Sequence, residues 1–126
     1  MKKKAILVSC FDWYANRLIY IERYLIEKGY EVEILLSDFN HSEKKKKKDY
    51  SQKQNIQYIS VPEYKRNVSL KRIYSHLVFS KKVTKKVVLG NPDFVYVLVP
   101  PNLLVKELSK RKRKNNYCLL YTSDAA

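Results

Sequence analysis

Three short apolar runs constrain this chain most: Ala5, Ile6, Leu7 and Val8; Val32, Ile34, Leu35 and Leu36; and Phe94, Val95, Tyr96, Val97, Leu98 and Val99. Each is too short to span a membrane; the first and third are too continuous for a strand with one wet face and read as strands covered on both sides, and the second, interrupted by Glu33, reads as a further strand. Between them, apolar residues recur at three- and four-residue spacing, the mark of amphipathic helices. Strand and helix in alternation predict an α/β fold, a Rossmann-like parallel sheet with right-handed crossovers and helices on both faces.

The first strand is expected over residues 4–10 and the first helix over about 14–28. In that helix Tyr14, Leu18, Ile21 and Leu25 face inward, and Glu22, Arg23, Glu27 and Lys28 face outward. Gly29 supplies a left-handed cap, and a second strand follows over 30–37. Residues 38–55, with the five-lysine run 44–48, read as a solvated loop, and 56–61 as a third strand stopped by Pro62. Ser69 caps a long helix to about residue 89, burying Leu70, Ile73, Leu77, Thr84 and Val87 or Val88, and Gly90 closes it. The strand over 93–99 ends at Pro100-Pro101, and a short helix covers about 103–110.

The 126 residues suffice for one small domain, and with 45% hydrophobic residues the chain can build a core despite its charge. Only 2 Gly, 2 Cys and 2 His are present, too few for a glycine-rich phosphate loop, a cysteine zinc site, a disulfide scaffold or a histidine cluster. No cofactor and no metal are expected. Cys10 and Cys118 read as free thiols of a reducing cytoplasm. The basic head Met1-Lys2-Lys3-Lys4 is followed by too short an apolar run for a signal peptide, so a cytoplasmic protein is expected, peripheral at the inner membrane face.

With 26 Lys+Arg against 12 Asp+Glu the net charge is +14, and attraction to acidic partners follows. The cations fall at Lys44 to Lys48, Lys71, Arg72, Lys81, Lys82, Lys85, Lys86 and Lys110 to Lys114. The eleven tyrosines are not interleaved with them, which disfavours nucleic acid and favours an anionic membrane surface.

Residues 118–126 differ in composition from the Lys- and Asn-rich text before them. They resemble the translation of a transposase sequencing adapter, TGT CTC TTA TAC ACA TCT GAC GCT GCC. On that resemblance residues 1–117 are a partial domain and 118–126 an artefactual tail, and without Asp124 the charge becomes 26 minus 11, or +15. The other reading is a genuine strand followed by a loop, since 117–122 has strand-like composition.

In parallel sheets ligands bind at the carboxyl ends of the strands. Two segments stand there: Phe11-Asp12-Trp13-Tyr14 with Asn16 and Arg17 after the first strand, and Pro100-Pro101-Asn102 after the last. Asp12 can act as a base or bind hydroxyls, Trp13 can stack on a sugar ring, and Arg17 can hold an anion bidentately. On the residues alone structural roles are favoured for them, Asp12 as a helix cap, Trp13 as a lid on the core and Arg17 as the salt-bridge partner of Asp12. The segment lacks G-x-G-x-x-G, which disfavours a dinucleotide. His76, in mid-helix with no acidic partner nearby in sequence, reads as structural, and His41, in the polar loop, carries no functional signal.

The ordered set Lys4-Ala5-Ile6-Leu7-Val8, Phe11-Asp12-Trp13-Tyr14, Asn16-Arg17, Gly29-Tyr30-Glu31-Val32, Val61-Pro62-Glu63-Tyr64, Tyr74-Ser75-His76-Leu77, Asn91-Pro92-Asp93 and Tyr96-Val97-Leu98-Val99-Pro100-Pro101-Asn102 resembles the N-terminal half of a bacterial GT-B fold glycosyltransferase of the family-four type. The resemblance implies a retaining enzyme of capsular or other surface-polysaccharide synthesis, which moves a sugar from a nucleotide-sugar to a glycan or lipid-linked acceptor without a required metal. It places Asp12, Trp13, Asn16, Arg17, Pro100, Pro101 and Asn102 on the acceptor side of an interdomain cleft. The nucleotide-sugar is a substrate held by a second domain absent from this sequence, so the chain alone is expected to be inactive. Two alternatives are a free-standing basic, flavodoxin-like binding module for nucleic acid or acidic partners, and another sugar-nucleotide enzyme of the same fold such as an epimerase.

Overall fold

The computed structural model describes residues 3–10, 15–40, 45–46, 55–66, 69–99 and 102–123. In chain order the elements are β1 (Lys3–Ser9), α1 (Ala15–Glu27), β2 (Tyr30–Ser37), β3 (Phe39–Asn40), β4 (Lys45–Lys46), β5 (Ile56–Ile59), α2 (Leu70–Gly90), β6 (Phe94–Val99), α3 (Asn102–Asn115) and β7 (Cys118–Ser123). Five strands form one sheet in the order β5-β2-β1-β6-β7, all parallel, and β3 with β4 makes a separate antiparallel pair. The α/β, Rossmann-like class expected from the sequence is the class observed. Cys118–Ser123, the stretch with the adapter-like sequence, is the edge strand beside β6.

The apolar runs become the central strands because only there are both faces covered. Leu7 of β1 lies between Ile34 of β2 and Tyr96 of β6, and Ile6, Leu7, Val8, Leu35 and Val97 are fully buried. α1 packs on β1 and β2, whereas α2 and α3 pack against each other. Right-handed crossovers in this strand order put α1 on one face of the sheet and α2 with α3 on the other. α1 buries Leu18 and Leu25, α2 buries Phe79, Val83 and Val87, and α3 buries Leu104 and Leu108. Each such side chain contributes roughly 1.5–3 kcal/mol of transfer free energy.

Gly29 adopts φ +90, the left-handed cap expected of it. At the far end of α2 the left-handed residue is Asn91 (φ 48), whose amide bonds the Val87 carbonyl, so Gly90 does not close the helix. Gly90 is instead a point of close approach: a Cβ there would meet Lys4 Nζ at 3.2 Å and Ile6 Cδ1 at 3.4 Å.

The sequence-based reading of α2 requires a larger correction. Leu70 and Ile73 are exposed (84% and 65%), and the buried side carries Ser75, Phe79, Ser80, Val83, Thr84 and Val87. The helix has two apolar stripes, and the sheet covers only one. Phe79, Val83 and Val87 recur every four residues among small Ser and Thr side chains, which lets the helix lie close to the sheet.

Smaller corrections have local causes. Glu22 is buried rather than outward, because the Asn55 side-chain amide donates to its carboxylate. Asp38 and Phe39 are buried, so the 38–55 segment is not a solvated loop at its start. α3 runs to Asn115, five residues past the expected end at Lys110, since Lys and Arg are good helix formers. The remainder of the lysine run, residues 44, 47 and 48, and His41 lie outside the described residues.

Candidate functional site

β1 and β6 are adjacent, with Ser9 paired to Leu98, yet their onward connections leave in opposite directions, to β2 on one side and to β7 on the other. That reversal makes their carboxyl ends the topological switch point of the sheet, where a crevice opens in folds of this kind. The two segments singled out in the sequence follow these two strands. Asn16 and Arg17 lie in the first turn of α1, and Asn102 is the first residue of α3. Asp12, Trp13, Pro100 and Pro101 lie outside the described residues.

Beneath this edge is a network that ties β1, β2 and β5 together. The buried Ser37 hydroxyl donates to the Cys10 carbonyl at 2.9 Å and accepts the Phe39 amide at 3.3 Å. Asp38 accepts the Val61 amide on Oδ1 at 3.0 Å, while its own amide donates to the Ile59 carbonyl at 2.9 Å. Each bond holds a strand terminus where its polar backbone would otherwise be buried without a partner.

Tyr64 closes the network from above. It is 2% exposed, its ring lies 4.5 Å from that of Phe39, and His76 meets it edge-on at 6.2 Å. Burial pushes its hydroxyl up to about 12; the nearby Cys10 thiol adds to that rise, and the Arg72 guanidinium opposes it through its charge and a donated hydrogen bond. Tyr64 is therefore a neutral phenol throughout the physiological range, and Arg72 carries the local charge.

Arg72 belongs to the first turn of α2, which Ser69 caps by accepting the Arg72 amide at 3.1 Å. That turn contains no acidic residue, so the positive end of the helix is not offset by its own side chains. Glu63, Tyr64, Lys65, Arg66, Ser69, Leu70 and Lys71 line a groove of about 560 Å³ beside it. The edge thus combines a rigid hydrogen-bonded floor with an electropositive rim, a setting that attracts an anionic or phosphate-bearing ligand.

Sequence reasoning located this edge but passed over Ser37, Asp38 and Tyr64 as site residues. Polar residues directly after apolar strands were the available signal. His76 is no isolated helical histidine, since its ring packs on Tyr64 within the cluster. Neither cysteine forms a disulfide; Cys10 is buried and Cys118 exposed.

Among the described residues no three His, Cys, Asp or Glu side chains gather as a metal site, and no helix is long and apolar enough to cross a membrane. Comparison with protein-family models gives no match to this chain, and comparison with curated proteins gives none either.

Proposed function

We propose that this chain is the acceptor-side half of a bacterial glycosyltransferase, which passes a sugar from a nucleotide-sugar to a surface-polysaccharide or lipid-linked acceptor at an anionic membrane. The observation that carries the reading is the switch point between β1 and β6, from which the segments bearing Asp12, Trp13, Asn16 and Arg17 and bearing Pro100, Pro101 and Asn102 both depart. Carboxylate, indole, amide and guanidinium groups together suit a hydroxyl-rich ligand with a stacking ring face. The electropositive rim around Arg72, Lys65 and Lys71 supports an acceptor that carries phosphate. The donor-binding residues belong to a second domain outside this sequence, so the chain alone binds acceptor and turns nothing over.

Saturation-transfer NMR with the full chain tests this. Lipid-linked oligosaccharide analogues give transfer signals that weaken at least tenfold in Asp12→Ala and Trp13→Ala variants, while nucleotide-sugars give none. Signals from a nucleotide-sugar alone, or from neither ligand, overturn the reading. Salt-sensitive retention of duplex DNA would move the assignment to a basic binding module.

A further inference from the structure

The exposed stripe of α2 falls into two unlike halves. Near the start of the helix Leu70, Ile73 and Tyr74 are exposed at spacings of three and four, which puts them side by side on one surface. Lys65, Arg66 and Lys71 stand beside them around the groove, with Glu63 the one carboxylate among its described lining residues. Toward the far end the stripe is dominated by Lys81, Lys82, Lys85 and Lys86, and α2 has no acidic residue along its length. The first half lies at the carboxyl edge of the sheet and the second at the amino edge, since Gly90 approaches Lys4.

We propose that the first half, Leu70, Ile73 and Tyr74 with Lys65, Arg66 and Lys71, docks the chain on an anionic phospholipid bilayer. The inference rests on the membrane reading above and adds the face and the depth. Large apolar side chains on a convex helix surface call for an apolar medium, and the cations beside them call for phosphate. A bilayer interface supplies both at successive depths: acyl chains for Leu70 and Ile73, the headgroup boundary for the Tyr74 ring, and lipid phosphates for the lysines and arginine. Nucleic acid offers the phosphates without the apolar layer. The outer face of α1 also exposes Ile19, Tyr20, Tyr24 and Ile26, but the described cations beside them are engaged locally, Arg23 over the Tyr20 ring at 6.0 Å and Lys28, just past the helix, over the Tyr24 ring at 5.5 Å. Docking through the start of α2 turns the carboxyl edge, and with it the candidate cleft, toward an acceptor held in the membrane.

Sedimentation with vesicles of equal phosphatidylglycerol and phosphatidylcholine is the experiment. The full chain binds these and not pure phosphatidylcholine. Replacing Lys65, Arg66 and Lys71 by Gln weakens binding roughly 100-fold, at about fivefold for each cation. Replacing Lys81, Lys85 and Arg111 by Gln removes equal charge from the other end and changes binding less than about threefold. In a Trp13→Phe background, which removes the native tryptophan, a Tyr74→Trp variant is quenched by brominated acyl chains, whereas a Leu89→Trp variant is not. Equal losses in the two triple variants, or an unquenched Tyr74→Trp variant that still binds, overturn this face and leave the membrane reading standing. Failure of the full chain to bind anionic vesicles overturns both, and duplex DNA binding lost with the first triple variant reassigns the surface to nucleic acid.

Discussion

Lys4 and Asp93 hold each other twice: the Lys4 amide donates to the Asp93 carboxylate at 2.8 Å, and the Asp93 amide donates to the Lys4 carbonyl at 2.8 Å. This reciprocal pair begins the β1 and β6 ladder, whose other end is the switch point. The register that sets the strand ends Ser9 and Leu98 side by side, just ahead of the two candidate segments, is thus fixed at the opposite end of the same two strands. Asp93→Ala removes the side-chain bond and keeps the backbone one. Because the site is exposed, the expected loss is about 1 kcal/mol, read from the shift of the urea midpoint at unchanged slope.

Tyr64 gives the fold an alkaline limit. Its proton is held to about 12 in the folded chain, against 10.0 for an ordinary tyrosine. Below pH 10 both folded and unfolded chains keep the proton, so the stabilisation is whole; as pH climbs toward 12 only the unfolded chain releases it, and stability falls. The loss attributable to this group approaches about 3 kcal/mol, at roughly 1.4 kcal/mol for each pH unit between the two values. Tyr64→Phe forfeits the Arg72 bond near neutral pH but flattens the alkaline limb. Urea midpoints at about pH 8 and about pH 11 check this, and an equally steep limb in the variant contradicts it. Tyr117, whose hydroxyl is also raised by burial and donates to the Leu108 carbonyl, provides a parallel case at the α3 and β7 junction.

The strands were legible because burial on both faces writes a continuous apolar run, as in Ala5 to Val8, and little else in a short chain reads that way. The edge carrying the candidate cleft was legible for a second reason: once the sheet is parallel, the carboxyl ends of its strands are the site. Less legible were contacts that a one-dimensional pattern cannot hold. Glu22 reads as outward until Asn55, thirty-three residues away, is brought to it. Asp38 reads as the start of a polar loop until the Val61 amide arrives. Tyr64 follows Pro62 in a polar stretch, and only tertiary packing against Phe39 and His76 makes it the lid of the network.

Two left-handed residues separate backbone demand from side-chain identity. Gly29 has φ +90 with nothing within 4 Å of an added Cβ, so Gly29→Ala costs only the backbone penalty, about 1–2 kcal/mol. Asn91 has φ 48, where Gly relieves the same penalty, and Asn91→Gly is expected to be neutral or to stabilise by up to about 1 kcal/mol. Gly90→Ala adds a methyl at a helical position that meets only the flexible ends of Lys4 and Ile6, so the close contact and the gain in helix propensity offset and the change is expected to stay within about 1 kcal/mol. Thermal melts of the three variants should rank Asn91→Gly above the wild type or level with it, Gly90→Ala close to it, and Gly29→Ala below.

The two stripes of α2 give the sharpest contrast between pattern and packing. By periodicity Leu70 and Ile73 belong to the core, and by structure Phe79 does, being fully buried while Leu70 is 84% exposed. Phe79→Ala opens a cavity between α2 and the sheet and should cost about 3–5 kcal/mol. Leu70→Ala removes no buried contact and should change stability by less than about 0.5 kcal/mol. If Leu70→Ala instead proves the more damaging substitution, the helix is rotated about its axis relative to the arrangement described here. The same result would bury Ile73 and remove the apolar layer of the proposed docking surface, so this pair of melts is a stability test that also bears directly on how the chain meets a membrane.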